Sequence, residues 1–152
     1  MLFYGFLNKT TITLHRGHYQ QFSLSHLTLE VYSDMEFYAI EYLFKHLSKL
    51  EHLTFKSTET SRFCDGTRWK QILSTLIKLK TFNLFMEIYN APRWLRMVDV
   101  LISFQTAYYR DHKWNFEYVI HKKLDYFRFY SLPYYENKMC IDYEIFETKS
   151  TR

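Results

Sequence analysis

Glycine and proline are scarce in this sequence, which contains 3 Gly and 2 Pro among 152 residues. Tight hairpins depend on residues that accept a positive φ, glycine above all, so this shortage argues against a sandwich or barrel of many short hairpins. We therefore expect helices to connect the strands.

The sequence is also poor in cysteine and has no long hydrophobic run. Cys64 and Cys140 form no C-x-x-C pair, which excludes a zinc knuckle or a thioredoxin-type motif and favours a reduced, intracellular chain. The apolar residues 1–7 lack the basic region that opens a signal peptide. No run approaches the roughly 20 apolar residues that cross a bilayer. We expect a cytoplasmic or nuclear chain with no membrane partner.

Motifs of catalysis and cofactor binding are missing as well. The sequence contains no G-x-S-x-G elbow, no glycine-rich phosphate loop and no H-E-x-x-H helix. His15 and His18 have a spacing compatible with metal binding, but a polar turn is the simpler interpretation because no cysteine or carboxylate cluster accompanies them. Cys64 follows Arg62, a cation that could activate the thiol, and a small buried hydrophobe is the alternative. We expect no enzyme, no cofactor and no metal.

Apolar and aromatic residues, by contrast, are plentiful. Hydrophobic residues make up 47% of the chain and aromatic residues 20%, enough apolar surface to offset the entropy lost on folding. The length fits a single domain over residues 1–152, which could itself be a fragment of a longer protein. The formal charge of +4 favours an acidic partner without requiring one.

An internal repeat is the most informative feature of the sequence. The pattern L-x-x-L-x-L, with Phe allowed for Leu, occurs at residues 24–29 and 50–55, again more loosely at 79–84, and in a fourth copy at 124–129. The first two offsets, 26 and 29 residues, fall within the range of leucine-rich repeats. The longer interval before the fourth copy has room for an additional strand around residues 114–120.

Apolar residues at helical spacing separate these strand patterns, at residues 37–47, 69–76 and 94–102. Asp65 or Thr67 could cap the second helix. Because a helical crossover returns the chain to the same end of a sheet, the strands should pair in parallel. The predicted fold class is α/β: an irregular leucine-rich-repeat-like β/α solenoid with a parallel sheet and helices on its outer side. The aromatic tail after Pro133 is a candidate cap for the last repeat.

Two motifs resemble the leucine-rich-repeat region of a divergent group of F-box-like proteins. They are D-G-x-R-W-x-Q at residues 65–71 and L-x-K-L-x-x-F at residues 76–82, followed by an aromatic stretch that ends in Leu-Pro-Tyr at 132–134. The resemblance covers about residues 20–135 and implies substrate recognition for a cullin-type ubiquitin ligase.

The chain departs from this group in two respects. We find no F-box segment before Leu24, and the buried asparagine that regular leucine-rich repeats place after the strand is missing. The resemblance therefore implies the substrate-recognition half of such a protein. Docking on the ligase adaptor is expected only if an F-box segment is missing from this chain.

Alternation along the strands predicts a binding face on the side away from the helices. The side chains expected there are Thr28, Glu30, Thr54, Lys56, Asn83, Phe85, Arg128 and Tyr130. Phe85 and Tyr130 are the expected exposed anchors, because large aromatic residues most often anchor protein interfaces; packing under an irregular loop is the alternative. The predicted protein-binding residues are Lys56, Asn83, Phe85, Arg128 and Tyr130. The predicted function is a non-catalytic module that binds another protein.

A basic RNA-binding module is the alternative function. Cations gather on and beside the second helical stripe: Arg62, Arg68, Lys70, Lys78 and Lys80. Such residues neutralise phosphates, and neighbouring aromatic rings can stack on bases. Trp69, however, belongs to the apolar stripe and is expected in the core, so the sequence favours a protein partner over nucleic acid.

Overall fold

A computed structural model of the chain describes residues 11–15, 24–32, 35–58, 61–93, 95–121, 126–133 and 147–150. The strands are β1 (Thr11–His15), β2 (His26–Tyr32), β3 (His52–Thr58), β4 (Thr81–Tyr89), β5 (Asn115–His121), β6 (Tyr126–Leu132) and β7 (Glu147–Ser150). The helices are α1 (Phe37–Phe44), α2 (Gly66–Leu73), α3 (Met97–Ser103) and α4 (Ala107–Asp111). Within these ranges, no helix combines the length and the apolar character needed to span a bilayer.

All seven strands belong to one mixed sheet, in the order β1-β2-β3-β4-β6-β5-β7. The pairs β2–β3 and β3–β4 are parallel, whereas β1–β2, β4–β6, β5–β6 and β5–β7 are antiparallel. Most neighbouring strands therefore run in opposite directions. The predicted parallel-sheet solenoid is wrong, and the fold is a mixed α/β sheet.

The repeat pattern does describe the parallel centre of this sheet. His26 lies opposite His52, and His52 lies opposite Thr81, so the strand registers equal the repeat offsets of 26 and 29 residues read from the sequence. Helix α1 connects β2 to β3, and helix α2 connects β3 to β4. Each connection is a β/α crossover between parallel neighbours, as the sequence predicted.

The prediction fails at the fourth repeat copy. The extra strand expected near residues 114–120 is present as β5, but β6 lies between β4 and β5 and runs antiparallel to both. Helices α3 and α4 thus connect β4 to β5, which is two positions away in the sheet. Strand β6 occupies the position between them. The L-x-x-L-x-L pattern reports which side chains face the core, and it carries no information on strand direction.

The helices cover one face of the sheet and bury a continuous aromatic core there. Trp69 of α2 packs edge-on against Phe55 of β3, with ring centroids 4.8 Å apart, and against Phe37 of α1 at 5.3 Å. Its indole Nε1 donates to the carbonyl oxygen of Phe63 at 2.8 Å. Past the end of α3, the ring of Phe104 lies 4.6 Å from that of Phe116 on β5. Rings from both halves of the sheet therefore form one core.

Several sequence predictions can be compared with individual positions. Asp65, rather than Thr67, caps α2: its carboxylate accepts from the Arg68 backbone N–H at 3.0 Å. In the third apolar stripe, Ile102 is exposed, contrary to its assignment to the core. Trp94, the turn at residues 16–18 and the tail at 134–146 lie outside the described residues.

Candidate interaction surface

The two faces of the sheet differ in chemistry because successive strand side chains point to opposite sides. One face carries the apolar residues that contact the helices. We call the opposite side the outer face. On the central strands its residues are His26, Thr28, Glu30, His52, Thr54, Lys56, Thr58, Thr81, Asn83, Phe85, Glu87, Tyr89, Tyr126, Arg128 and Tyr130, with Glu117 and Val119 on β5.

All the residues predicted to bind a partner lie on this outer face. Lys56, Phe85 and Tyr130 are directly opposite one another on β3, β4 and β6, so they form one row across the sheet. Asn83 lies two residues before Phe85 on β4, and Arg128 lies two residues before Tyr130 on β6. The structure therefore groups these residues on three adjacent strands.

The expected exposure of the two aromatic residues is wrong. Phe85 is 7% exposed and Tyr130 is 8% exposed. They form a small apolar cluster with Val119, and Leu132 packs against it. The two residues are directly opposite each other on β4 and β6, and the sequence pattern did not predict that they would pack together. Phe85 and Tyr130 are thus packed residues of the outer face, and they expose little surface to a partner.

Charged and polar groups flank this aromatic pair along the same row. On one side the Nζ of Lys56 lies 3.4 Å from a carboxylate oxygen of Glu30. On the other side the hydroxyl of Tyr130 donates to Glu117 Oε1 at 3.0 Å. The row therefore has an apolar centre and a carboxylate near each end.

A second row lies beside the first and is uncharged. Asn83 donates from Nδ2 to the hydroxyl oxygen of Thr54 at 3.3 Å, and Thr54 is opposite Thr28 on β2. All three side chains are partly exposed. They offer hydrogen-bonding groups to a partner next to the aromatic pair.

Arg128 belongs to a network that lies across the aromatic pair from Asn83 and Thr54. Its Nε donates to Glu87 Oε1 at 3.0 Å, and its guanidinium lies 5.1 Å from the ring centroid of Tyr126. The hydroxyl of Tyr126 also donates to Glu87. Burial, and next the bond to Glu87, raise the pKa of the Tyr126 phenol well above its ordinary value. Arg128 is therefore held in one orientation on the face.

Sequence reasoning missed a pair of histidines on the outer face, at the first residues of β2 and β3. His26 and His52 stack with ring centroids 4.2 Å apart and ring planes 22° from parallel. A signal was present, since both occupy the third position of the L-x-x-L-x-L pattern, in the copies at 24–29 and 50–55. Aligning the repeats as neighbouring strands places these imidazoles side by side.

The D-G-x-R-W motif has a structural explanation on the helical side of the sheet. Arg68 donates from Nε to Glu41 Oε1 at 2.7 Å and lies 4.6 Å from the ring centroid of Phe37. Trp69 is completely buried, as the sequence predicted. The motif therefore joins α2 to α1 and to the core, and its tryptophan offers no surface on which a base could stack.

Other members of the predicted basic cluster also pair with carboxylates. Arg62 donates to Glu36. The Nζ of Lys80 lies 2.6 Å from Glu51 Oε2, and this contact lowers the pKa of the Glu51 carboxyl. Pairing of this kind reduces the positive potential that would attract a phosphate backbone.

Cys64 does not have the environment of an activated thiol. The residue is partly buried beside the core, and burial raises the pKa of its thiol to about 12. A nucleophilic cysteine requires the opposite shift, so the buried-hydrophobe interpretation fits the structure. Among the described side chains, no group of three or more His, Cys, Asp or Glu residues is placed to hold a metal ion.

Comparison of the chain with known protein families, with curated protein sequences and with solved structures gives no match.

Proposed function

We propose that this chain is a non-catalytic module that binds another protein through its outer face. The observation that carries the proposal is the row in which the buried pair Phe85 and Tyr130 lies between the Glu30–Lys56 ion pair and Glu117. Phe85 and Tyr130 are themselves buried, so a partner would contact the polar groups around them, as it does at the polar rim of an interface.

The surroundings of this row favour recognition by a preformed surface. Asn83 and Thr54 are joined by a hydrogen bond, and Arg128 is held by Glu87. Groups already fixed before binding lose little conformational entropy when a partner docks. Lys56, Asn83 and Arg128 would then provide the polar contacts to the partner.

The partner class is inferred from the resemblance to F-box-like proteins. The motifs at residues 65–71 and 76–82 support a role in selecting proteins for ubiquitination by a cullin-type ligase. Docking on the ligase adaptor is proposed only for a form of the protein that carries an F-box segment. The outer face itself would contact the selected protein.

A matched pair of substitutions tests this function. Thr54→Arg adds a large cation to the outer face, and Gln71→Arg adds the same cation to the exposed side of α2. In quantitative pull-downs, we expect Thr54→Arg to lose a reproducible set of proteins that the unmodified chain and Gln71→Arg both retain. Melting temperatures of both variants check that folding is unchanged. Equal capture by all three proteins, or no capture above a tag-only control, would overturn the proposal.

The RNA-binding alternative receives less support from the contacts. Arg62, Arg68 and Lys80 are engaged with carboxylates, and Trp69 is buried. Lys70 and Lys78 are exposed, but two scattered lysines neutralise few phosphates.

A further inference from the structure

The exposed side of α1 is aromatic where a surface helix normally carries polar residues. Phe37, Ile40 and Phe44 are buried against the core, whereas Tyr38 and Tyr42 are 67% and 63% exposed. The two tyrosines are four residues apart and therefore lie one turn apart on the same side of the helix. Polar and charged residues usually cover the side of a helix that faces solvent. Burial in the core therefore does not explain these two rings.

The next helix shows that the fold does not require tyrosine at these positions. Helices α1 and α2 have eight residues each, and both begin 15 residues before the strand that follows them. Counted from the first residue of each helix, Tyr38 corresponds to Thr67 and Tyr42 corresponds to Gln71. Thr67 and Gln71 are exposed, so α2 presents polar groups where α1 presents rings. The same β/α crossover thus forms without aromatic residues on the solvent side of its helix.

The imidazole of His46 packs beside the exposed ring of Tyr42. The two ring centroids are 4.9 Å apart, and His46 Nδ1 lies 2.8 Å from the carbonyl oxygen of Tyr42. This hydrogen bond restricts the imidazole, and the imidazole in turn restricts the tyrosine ring that it contacts. A side chain that is restricted before binding loses less conformational entropy when a partner docks.

The unpaired charges beside these rings are positive. The carboxylates of Glu36 and Glu41 pair with two arginines in and before α2. Lys45 and Lys49 are exposed, and no carboxylate among the described residues pairs with either of them. Lys45 follows Tyr42 by three residues, so its side chain lies on the same side of α1. We call this surface the α1 patch, and its residues are Tyr38, Tyr42, Lys45 and Lys49.

We propose that the α1 patch binds an acidic segment of a partner protein, with apolar side chains of that segment against the two tyrosine rings. Tyrosine is among the residues that most often dominate the energy of protein interfaces, and the lysines complement the carboxylates of an acidic segment. The net charge of +4 acts in the same direction. The patch lies on the helical side of the sheet, so it is a second binding surface and does not depend on the function proposed for the outer face.

Fluorescence anisotropy of the full chain with labelled peptides tests the α1 patch. The probes are a peptide in which two leucines precede a run of glutamates and a matched peptide with lysine in place of glutamate. We expect saturable binding of the acidic peptide, weakened by salt, and none of the basic peptide. The double substitution Tyr38→Thr with Tyr42→Gln gives α1 the residues that α2 carries at the corresponding positions. It should weaken binding by at least about fivefold, the effect of losing one hot-spot contact.

Further variants separate the α1 patch from other surfaces. Lys45→Glu with Lys49→Glu should also weaken binding of the acidic peptide, because it reverses the charge of the patch. Gln71→Ala on α2 and Thr54→Arg on the outer face should not weaken it. Absence of saturable binding, or equal binding by the double tyrosine variant, would overturn the proposal. Tighter binding of single-stranded RNA, lost in the same variants, would also overturn it, because RNA would then be the ligand of the patch.

Chemical labelling of the unmodified chain keeps the proposal testable if a variant folds poorly. Tetranitromethane nitrates exposed tyrosine rings, and mass spectrometry of proteolytic fragments measures the rate at each site. A saturating concentration of the acidic peptide should slow nitration of Tyr38 and Tyr42. Tyr89 on the outer face is 45% exposed and should react at an unchanged rate. Equal protection of all three tyrosines, or protection of none, would show that the peptide does not bind the α1 patch.

Discussion

Gly66 and Ser103 meet where the start of α2 crosses the end of α3. A methyl group built on Gly66 would lie 2.5 Å from the carbonyl oxygen of Ser103, closer than nonbonded atoms approach. The Gly66 N–H donates to Ser103 Oγ at 2.9 Å, and the Tyr109 hydroxyl donates to the Gly66 carbonyl. The glycine of the D-G-x-R-W motif thus permits contact between two helices.

Gly66→Ala should therefore destabilise the protein. We expect the free energy of unfolding to fall by about 1–3 kcal/mol, the usual cost of adding a methyl group to a filled space. Thr67→Ala is the control, since Thr67 is exposed and such a substitution changes stability by less than about 0.5 kcal/mol. Urea unfolding followed by circular dichroism measures both. If both variants lose the same unfolding free energy, α3 shifts to make room for the methyl group at no energetic cost.

The sequence predicted the parallel centre of the sheet because the same pattern determines burial and register there. Leu27, Leu53 and Phe82 occupy equivalent repeat positions and lie opposite one another on β2, β3 and β4. The position of β6 could not be predicted in this way. Its core residue Phe129 lies opposite Met86 in an antiparallel pair, and alternation looks the same in either direction.

The candidate surface was predicted with similar limits. Alternation correctly assigned Phe85 and Tyr130 to the outer face, because it depends only on the period of a strand. Their packing against each other requires β6 to lie beside β4, as it does in the structure. The sequence offered no measure of this pairing, so exposed anchors were expected where the structure has a packed pair.

Phe85→Ala and Tyr130→Ala should accordingly lower stability rather than leave it unchanged. We expect each to cost about 3 kcal/mol, near the lower end for a buried aromatic residue because the cluster is small. The double variant should lose less than the sum, by about 1 kcal/mol, since contacting residues share their interaction. Chemical denaturation of all four proteins measures this coupling. Additive effects would mean that the two rings do not support each other.

Cys64 should react slowly while the protein is folded. Burial raises the pKa of the thiol from 9.0 to about 12, so at pH 8 the thiolate fraction falls by about three orders of magnitude. Iodoacetamide labelling of a Cys140→Ser variant, in which Cys64 is the remaining cysteine, should be slow in buffer and fast in denaturant. Equal rates in both conditions would contradict burial of the thiol.

The same pKa shift predicts the direction of a pH effect on stability. Above pH 9 the unfolded chain loses the thiol proton that the folded chain retains, so the unfolded state binds fewer protons and stability falls as the pH rises. Cys64→Ser should reduce this alkaline slope. Urea midpoints between about pH 8 and pH 10 for the two proteins measure the difference. If the two proteins have the same slope, groups other than Cys64 cause the loss of stability at alkaline pH.

Reversing two exposed charges separates the protein-binding function from RNA binding. Lys70→Glu with Lys78→Glu changes the exposed lysines of the basic cluster and leaves the paired residues Arg62, Arg68 and Lys80 in place. We expect weak binding of single-stranded RNA by the unmodified chain, and no change on charge reversal, because most of the cluster is engaged with carboxylates. Fluorescence anisotropy at about 50 and 200 mM salt measures the affinity. If RNA bound through these lysines, log affinity would fall with log salt by about 0.7 per phosphate contact, and the double substitution would reduce that slope. A reduced slope in the double variant, with the slope of a neutral control such as Gln71→Ala unchanged, would favour RNA over a protein as the partner.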